Sequence, residues 1–499
     1  MNIGQRLLAA SERHPEAEAV VDELERLTYA DLLERATTIA GGLVNLGVSP
    51  GDRVATALRN RTETILLYWA AQWLGACLVP VNWRLRPEEV RYCVEDAGAV
   101  VLACEAASAG AARAVTSNTR VVAIGEEVDG VPFADLLGAR PLPGPSGVDT
   151  TCPSLMLYTS GTTGRPKGVP RSHAAEWAAT LAHVIQCRYG PAERTLGVMP
   201  LYHTMAVRSL LAMTAVGGCF VVRPEFRPPD ALVAVEAERV SALYLAPTLF
   251  HDLLEAFPGS RADVSCVRNL AYAGGPMTAA LVDRCAAAFD PVSFVNHYGS
   301  TEIYTFTVHS DQWAKPGCAG RAGINARIRL VPTGGAASPD QRVPPGEVGE
   351  VICHLSSEEA FAGYWNRPDA DARALRDGWY FTGDLARLDD DGELWLVGRA
   401  DDMVISGGEN IHPTEVEEVL AGHPHVREVA VIGVADERLG QRVLACVVAD
   451  GGISADELDA HCVASASLAA FKRPREYRFV AQLPRSPSGK LLRRLLRDE

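Results

Sequence analysis

Apolar residues along this chain recur in two rhythms, and the change from one to the other divides it. After Leu27-Thr28-Tyr29, the residues Leu32, Ala36, Ile39, Leu43 and Leu46 fall three or four positions apart, which predicts a helix stopping at Gly47. Gly51-Asp52 turns the chain into a strand, Arg53–Ala57. A helix over 62–75, a strand near Leu78–Val81, a helix over Pro87–Ala97 and a strand over Val100–Cys104 follow. The uncharged run from Ile65 to Val81 carries Gln72, Gly75 and Pro80, so it reads as a buried helix entering a strand rather than a membrane span. Strands and helices alternate to about residue 300, the pattern of parallel sheets in an α/β core.

From about residue 320 short strands dominate: Ala326–Val331, Gly349–Cys353, Leu385–Leu388 and Glu393–Val397, with Asp390-Asp391-Gly392 as a hairpin turn. Beyond Arg399 the chain reads as a small α+β unit. A capping box, Thr414 to Glu417, is expected to start its first helix, and strands are expected at Glu428–Val434 and Val443–Val448. At 499 residues the chain exceeds what one core normally supports, about 250–300 residues. Two domains are therefore expected, 1–399 and 400–499.

Composition narrows the function classes. The net charge of −15 argues against nucleic acid as a partner, because a phosphate backbone needs a basic face. Twelve scattered cysteines with no C-x-x-C pair suit reduced thiols in a cytoplasmic protein, and neither a leader nor a membrane anchor is expected. Only four of the 47 basic residues are lysines, Lys167, Lys315, Lys472 and Lys490, which ranks these as positions where a compact ammonium serves better than a guanidinium.

Candidate chemistry centres on Tyr158-Thr159-Ser160-Gly161-Thr162-Thr163-Gly164-Arg165-Pro166-Lys167-Gly168, which lies between an apolar run and a helix expected to open near Ser172. Its hydroxyls, glycine N–H groups and ammonium suit phosphate oxygens, although the spacing is not that of a Walker loop and a plain surface loop has similar composition. In Asn296-His297-Tyr298-Gly299-Ser300-Thr301-Glu302 an aromatic, two hydroxyls and a carboxylate stand together, suited to a base, a phosphate and Mg²⁺ or simply to a turn. Asp384 closes Tyr380-Phe381-Thr382-Gly383-Asp384, where a carboxylate suits a ribose diol. Gly398-Arg399-Ala400-Asp401-Asp402 falls where the rhythm changes and suits a hinge or a linker. Pro484 to Lys490 sets a scarce lysine in a Pro/Gly-framed loop.

Together and in this order, these stretches resemble the acyl-adenylate-forming superfamily, which includes acyl- and aryl-CoA synthetases, peptide-synthetase adenylation domains and luciferases. Met199-Pro200-Leu201-Tyr202-His203, Ser406-Gly407-Gly408-Glu409-Asn410-Ile411-His412-Pro413 and Phe471-Lys472-Arg473-Pro474 are most similar to 4-chlorobenzoate–CoA ligases and other benzoate-type ligases. The resemblance implies a large adenylate-forming domain, two α/β sheets plus a small β-rich part, followed by a mobile α+β lid. It also implies two half-reactions. A carboxylate attacks ATP to give acyl-AMP and pyrophosphate, and coenzyme A then displaces AMP.

By the same resemblance Thr159, Ser160, Gly161, Thr162, Thr163, Gly164 and Lys167 cradle the β- and γ-phosphates. Glu302 holds Mg²⁺ and Thr301 touches the α-phosphate. Tyr298 with Gly299 packs on adenine near Gly274, Gly275 and Pro276, and Asp384 with Arg399 binds the ribose. Lys490, reaching over from the lid, joins His203, Thr301 and Glu302 in the catalytic set. Asp401 is the implied pivot, and Lys472, Arg473 and Arg475 are the implied coenzyme A contacts. Related ligases often carry an aromatic where this chain has Leu439, which leaves a stacking contact to the coenzyme in doubt.

The implied acyl pocket draws on His203, Thr204, Met205, Tyr244, Ala246, Ile303, Tyr304 and Thr180, with no acid to hold an amino-acid ammonium. A benzoate-type acid is the expected substrate, with medium-chain, cinnamate-type and malonate-like acids as alternatives. Arg208 could pair with a second carboxylate, but an arginine on an amphipathic helix is expected to face solvent. A separate carrier protein is the alternative acyl acceptor, and a monomer or homodimer is the expected assembly.

Overall fold

The computed structural model describes residues 1–116, 118–159, 165–333, 337–407, 409–465, 468–485 and 491–497. The chain forms two compact units. The first comprises Met1–Pro316, Ala322–Arg327 and His354–Gly378, and the second Gly317–Arg321, Ile328–Cys353 and Trp379–Glu499.

The first unit is the α/β core the alternation predicts. One sheet runs, in spatial order, through Val131–Pro132, Arg120–Ile124, Ala99–Glu105, Arg53–Ala57, Cys77–Pro80, Pro153–Thr159 and Lys167–Ser172. Its strands are parallel except for the final hairpin, in which Thr159 pairs with Lys167. The uncharged run from Ile65 forms most of a buried helix, Thr62–Leu74, capped by Gly75 and leading into the strand Cys77–Pro80. No helix among the described residues is long and apolar enough to cross a membrane. All twelve cysteines are free thiols.

The second sheet of this unit runs through Thr307–His309, Ser293–Tyr298, Asn269–Tyr272, Ala242–Leu245, Arg194–Gly197, Cys219–Val222, Glu18–Val21 and Arg26–Thr28. From Ser293–Tyr298 to Glu18–Val21 all neighbours are parallel. Parallel strands need helical crossovers, and these cover the faces, so the strands are buried almost throughout. Strand order reverses between Arg194–Gly197 and Ala242–Leu245, since the chain steps to Cys219–Val222 on one side and returns on the other. A crevice at the carboxyl ends of strands flanking such a reversal is where open α/β sheets hold ligands.

The second unit carries the shorter strands. Trp379–Leu388 pairs antiparallel with Leu394–Arg399 around the expected turn, where Gly392 takes φ 74°. A further sheet joins Val404–Ser406, Gly440–Ala449, Val426–Asp436 and Glu476–Phe479. The helix Pro413–Ala421 forms as expected, but not by the capping box. The Thr414 hydroxyl donates instead to Val397 O, and the Glu417 carboxylate accepts from Val431 N at 2.7 Å and pairs with Arg493. Tertiary partners outcompete the local cap because each supplies a second element to hold in place.

Candidate functional site

Three adjacent parallel strands of the second sheet end side by side, and the expected site residues follow their carboxyl ends. Tyr244 and Ala246 close Ala242–Leu245, Gly274, Gly275 and Pro276 follow Asn269–Tyr272, and Tyr298, Gly299, Thr301 and Glu302 follow Ser293–Tyr298. Beyond the reversal, Met199 to His203 follow Arg194–Gly197 and lead into the helix Thr204–Val216. Thus the fold gathers residues that lie up to about a hundred positions apart in sequence.

Two glycines are required at this edge. Gly274 sits at φ 86°, with open space where a side chain would start. At Gly299 a Cβ would fall 2.1 Å from Tyr304 O, so only glycine lets the Glu302 turn fold back on its strand. Tyr298 is buried, and its ring meets Phe306 edge-on at 5.1 Å.

The expected phosphate loop joins two paired strands, and both flanks are anchored. The Tyr158 hydroxyl donates to Asp96 Oδ2 at 2.6 Å, and the Tyr92 hydroxyl donates to Pro166 O at 3.2 Å. Ser172 caps the next helix, His173–Gln186, accepting from Ala175 N at 3.1 Å. The loop residues Ser160, Gly161, Thr162, Thr163 and Gly164 lie outside the described residues, as does Lys490.

Lys167 and Glu302 meet through a residue that sequence reasoning missed. The Lys167 ammonium sits 4.0 Å above the Tyr364 ring, and the Tyr364 hydroxyl donates to Glu302 Oε1 at 2.6 Å. Burial lowers the Lys167 pKa, and the nearby Glu302 carboxylate partly offsets this. Glu302 Oε2 accepts no hydrogen bond from the described residues. The only signal for Tyr364 was the aromatic pair after Gly363, in Gly363-Tyr364-Trp365-Asn366.

Behind Glu302 lies a second missed residue. Arg171 and Glu176 are both fully buried and paired at 2.8 Å. The Arg171 guanidinium also donates to Glu302 O at 3.1 Å and Glu359 O at 2.5 Å, and it lies 3.9 Å from the Tyr304 ring. A lone arginine inside the strand Lys167–Ser172, with an acid five residues on, was its sequence signal. This ion pair fixes the backbone that aims the Glu302 side chain.

Around the crevice, Met205, Ala246, Ile303, Tyr304 and Tyr244 are buried and Thr204 is half-buried. His203 is half-buried beside the Tyr202 ring at 4.7 Å, and desolvation pushes its pKa down to about 4, so the ring is neutral. Arg208 departs from the expectation of a solvent-facing side chain. It is 2% exposed, donating to Thr305 Oγ1 at 2.6 Å and to Ala179 O at 3.3 Å. Its partners come from other elements, and no helical periodicity reports them.

In the second unit, Asp384 and Arg399 are direct cross-strand partners and pair at 2.7 Å. Arg399 also donates to Thr382 O at 3.1 Å, which holds the fork flat against the strand. Asp401 is exposed in the single 3₁₀ turn Ala400–Asp402 between two strands. Lys472 pairs with Glu415, and Arg473 with Asp459 at 2.9 Å, while Arg475 is exposed and bonds through its backbone N–H to Val443 O. Leu439 lies beside Gly407, and its carbonyl accepts from Gly407 N at 2.8 Å.

Residues 7–365 match the AMP-binding enzyme family, and residues 415–490 match the AMP-binding enzyme C-terminal domain. A feruloyl-CoA synthase of Amycolatopsis sp is 38% identical over 96% of this chain and 95% of its own length. A 4-chlorobenzoate–CoA ligase of Arthrobacter sp is 33% identical over 98% and 93%. The crystal structure of ATP-bound MatB from Rhodopseudomonas palustris superposes with a TM-score of 0.90 at 27% identity, covering 100% of this chain and 99% of that one. With these matches and the edge built by Lys167, Tyr364 and Glu302, the chain belongs to the AMP-binding, adenylate-forming enzymes, the superfamily of AMP-forming acyl-CoA synthetases.

Proposed function

We propose that this enzyme activates a benzoate-type aryl acid with ATP, releasing pyrophosphate, and then transfers the acyl group to coenzyme A. The observation that carries the reading is the Lys167–Tyr364–Glu302 arrangement, a cation and a carboxylate held on one phenol at the carboxyl edge of a parallel sheet. Two like-charged reactants must meet in the first half-reaction, so fixed positive charge is the main catalytic resource. Burial lowers the Lys167 pKa, and a polyphosphate beside it would favour the charged ammonium. Glu302 offers a hard carboxylate oxygen that accepts no hydrogen bond from the described residues, the ligand type Mg²⁺ takes, so the residues fit that ion. Magnesium bound there would neutralise phosphate charge.

Neutral, half-buried His203 lies beside the acyl wall without placing a charge on the acyl group. The apolar wall of Met205, Ile303 and Tyr244 suits a flat acyl group, and relatives named for feruloyl and 4-chlorobenzoate substrates support an aryl acid. Asp384 and Arg399 are the proposed ribose contacts, and Lys490 the proposed cation for the adenylation step. Asp401 is the proposed pivot between a domain over 1–399 and a lid over 400–499, with Lys472, Arg473 and Arg475 toward coenzyme A. The test is pyrophosphate release across benzoates, cinnamates, medium-chain acids and malonates, with and without coenzyme A. Benzoates should be turned over fastest; a medium-chain acid or malonate as best substrate would overturn the aryl assignment.

A further inference from the structure

Behind Tyr244 the first unit buries a polar cluster for which the adenylation chemistry has no use. His183 lies against the Tyr244 ring at 4.6 Å and the His297 ring at 5.1 Å. The Cys187 thiol touches His183 Nδ1 at 3.5 Å and His297 Nε2 at 3.3 Å. The outer nitrogens, His183 Nε2 and His297 Nδ1, are buried without a hydrogen-bond partner. An unsatisfied buried polar group calls for a reason, because leaving it unpaired is costly.

The charge nearby selects among reasons. Two imidazoles and a thiol at these separations could hold a metal ion, but Arg208 stands beside all three and its positive charge opposes a cation. The same guanidinium favours an electron-rich partner. Arg208 is anchored by Nε to Ala179 O and by Nη2 to Thr305 Oγ1, which leaves Nη1 outside both bonds. The Tyr244 phenol feels the same guanidinium and lies within its hydrogen-bonding reach, so the two residues form one polar pair. Both residues lie on elements that flank the strand-order reversal. Arg208 is one helical turn beyond Thr204, and Tyr244 lies at the end of the strand Ala242–Leu245.

We propose that Arg208 and Tyr244 form a specificity subsite at the closed end of the acyl crevice, accepting an oxygen-bearing substituent of the acid: a phenol, a methoxy group or a carboxylate. The inference rests on the ligase reading above and adds the chemistry of the substrate's far end. A fixed guanidinium donor presented to an oxygen discriminates against the analogue that lacks it, because that analogue leaves the donor buried and unpaired.

The test compares kcat/KM for pyrophosphate release with paired acids: benzoate against 4-hydroxybenzoate and terephthalate, and cinnamate against 4-hydroxycinnamate. The oxygen-bearing member of at least one pair should be favoured by about 10- to 100-fold. The phenol and carboxylate arms separate a neutral from an anionic substituent. In Arg208→Met that ratio should fall toward unity through KM, whereas general damage would lower both acids alike. Because Arg208 is buried, Tyr244→Phe is the gentler second variant and should lose a smaller part of the same ratio. Equal rates for both members of every pair in the wild-type enzyme, an unchanged ratio in both variants, or a stoichiometric metal ion in the purified protein would overturn the proposal. Pyrophosphate release with no oxygen preference would sink this inference alone. No release with any acid would overturn the ligase reading as well.

Discussion

At the sheet edge, Lys167, Tyr364 and Glu302 join a half-buried ammonium, a phenol and a carboxylate through contacts of 4.0 Å and 2.6 Å. Farther into the same unit, Arg208, Tyr244, His183 and His297 are all buried, and the Arg208 guanidinium is tied down by Thr305 and Ala179. The edge keeps its charges within reach of an incoming ligand and holds them with single contacts. The interior fixes Arg208 by two bonds from elements distant in sequence. On the roles proposed above, charge that meets phosphate stands at the sheet edge, while charge that tells one acyl group from another is immobilised.

The sharpest way to break this contrast is to attack what holds the edge in place. Arg171→Leu leaves Glu176 as an uncompensated buried charge and should cost about 3–5 kcal/mol in urea unfolding. The double change Arg171→Leu with Glu176→Leu should recover most of that loss, and an unaffected single variant would mean the pair carries no structural burden. Glu302→Gln keeps an acceptor for the Tyr364 hydroxyl but removes the anionic ligand, so acid-dependent pyrophosphate release should fall about 100-fold. Its unfolding midpoint should barely move, which separates chemistry from packing. Tyr364→Phe removes one hydrogen bond to a carboxylate and should slow the same reaction about tenfold, with the change read at saturating acid.

The smallest effect is one of pH. His203 and His173 have folded-state pKa values pushed by burial from 6.5 down to about 4. The unfolded chain therefore binds more protons between these values, so the stability contributed by the neutral rings is complete above pH 6.5. It is lost as the pH falls toward 4. Denaturant midpoints at pH 7.5 and pH 5 should differ in that direction, and His203→Gln should shrink the difference.

Local features of this chain were legible in advance, and long-range ones were not. The helix Pro87–Ala97 and the strand Arg53–Ala57 fall where proline, glycine and periodicity put them. Glu302, Thr301 and Tyr298 were readable because one short turn carries all three. Tyr364 is 62 positions from the carboxylate it contacts, and Arg208 is 97 from Thr305, so neither had a neighbour to announce it. The capping box from Thr414 to Glu417 failed for the same reason, since Val397 and Val431 claim the side chains that the local motif required.

The most direct measurement is acid-dependent exchange of labelled pyrophosphate into ATP in the absence of coenzyme A. An adenylate-forming enzyme makes and reverses acyl-AMP without the thiol, so exchange should occur with an aryl acid and collapse in Glu302→Gln. Exchange that required coenzyme A, or ADP and phosphate as the products, would contradict the account.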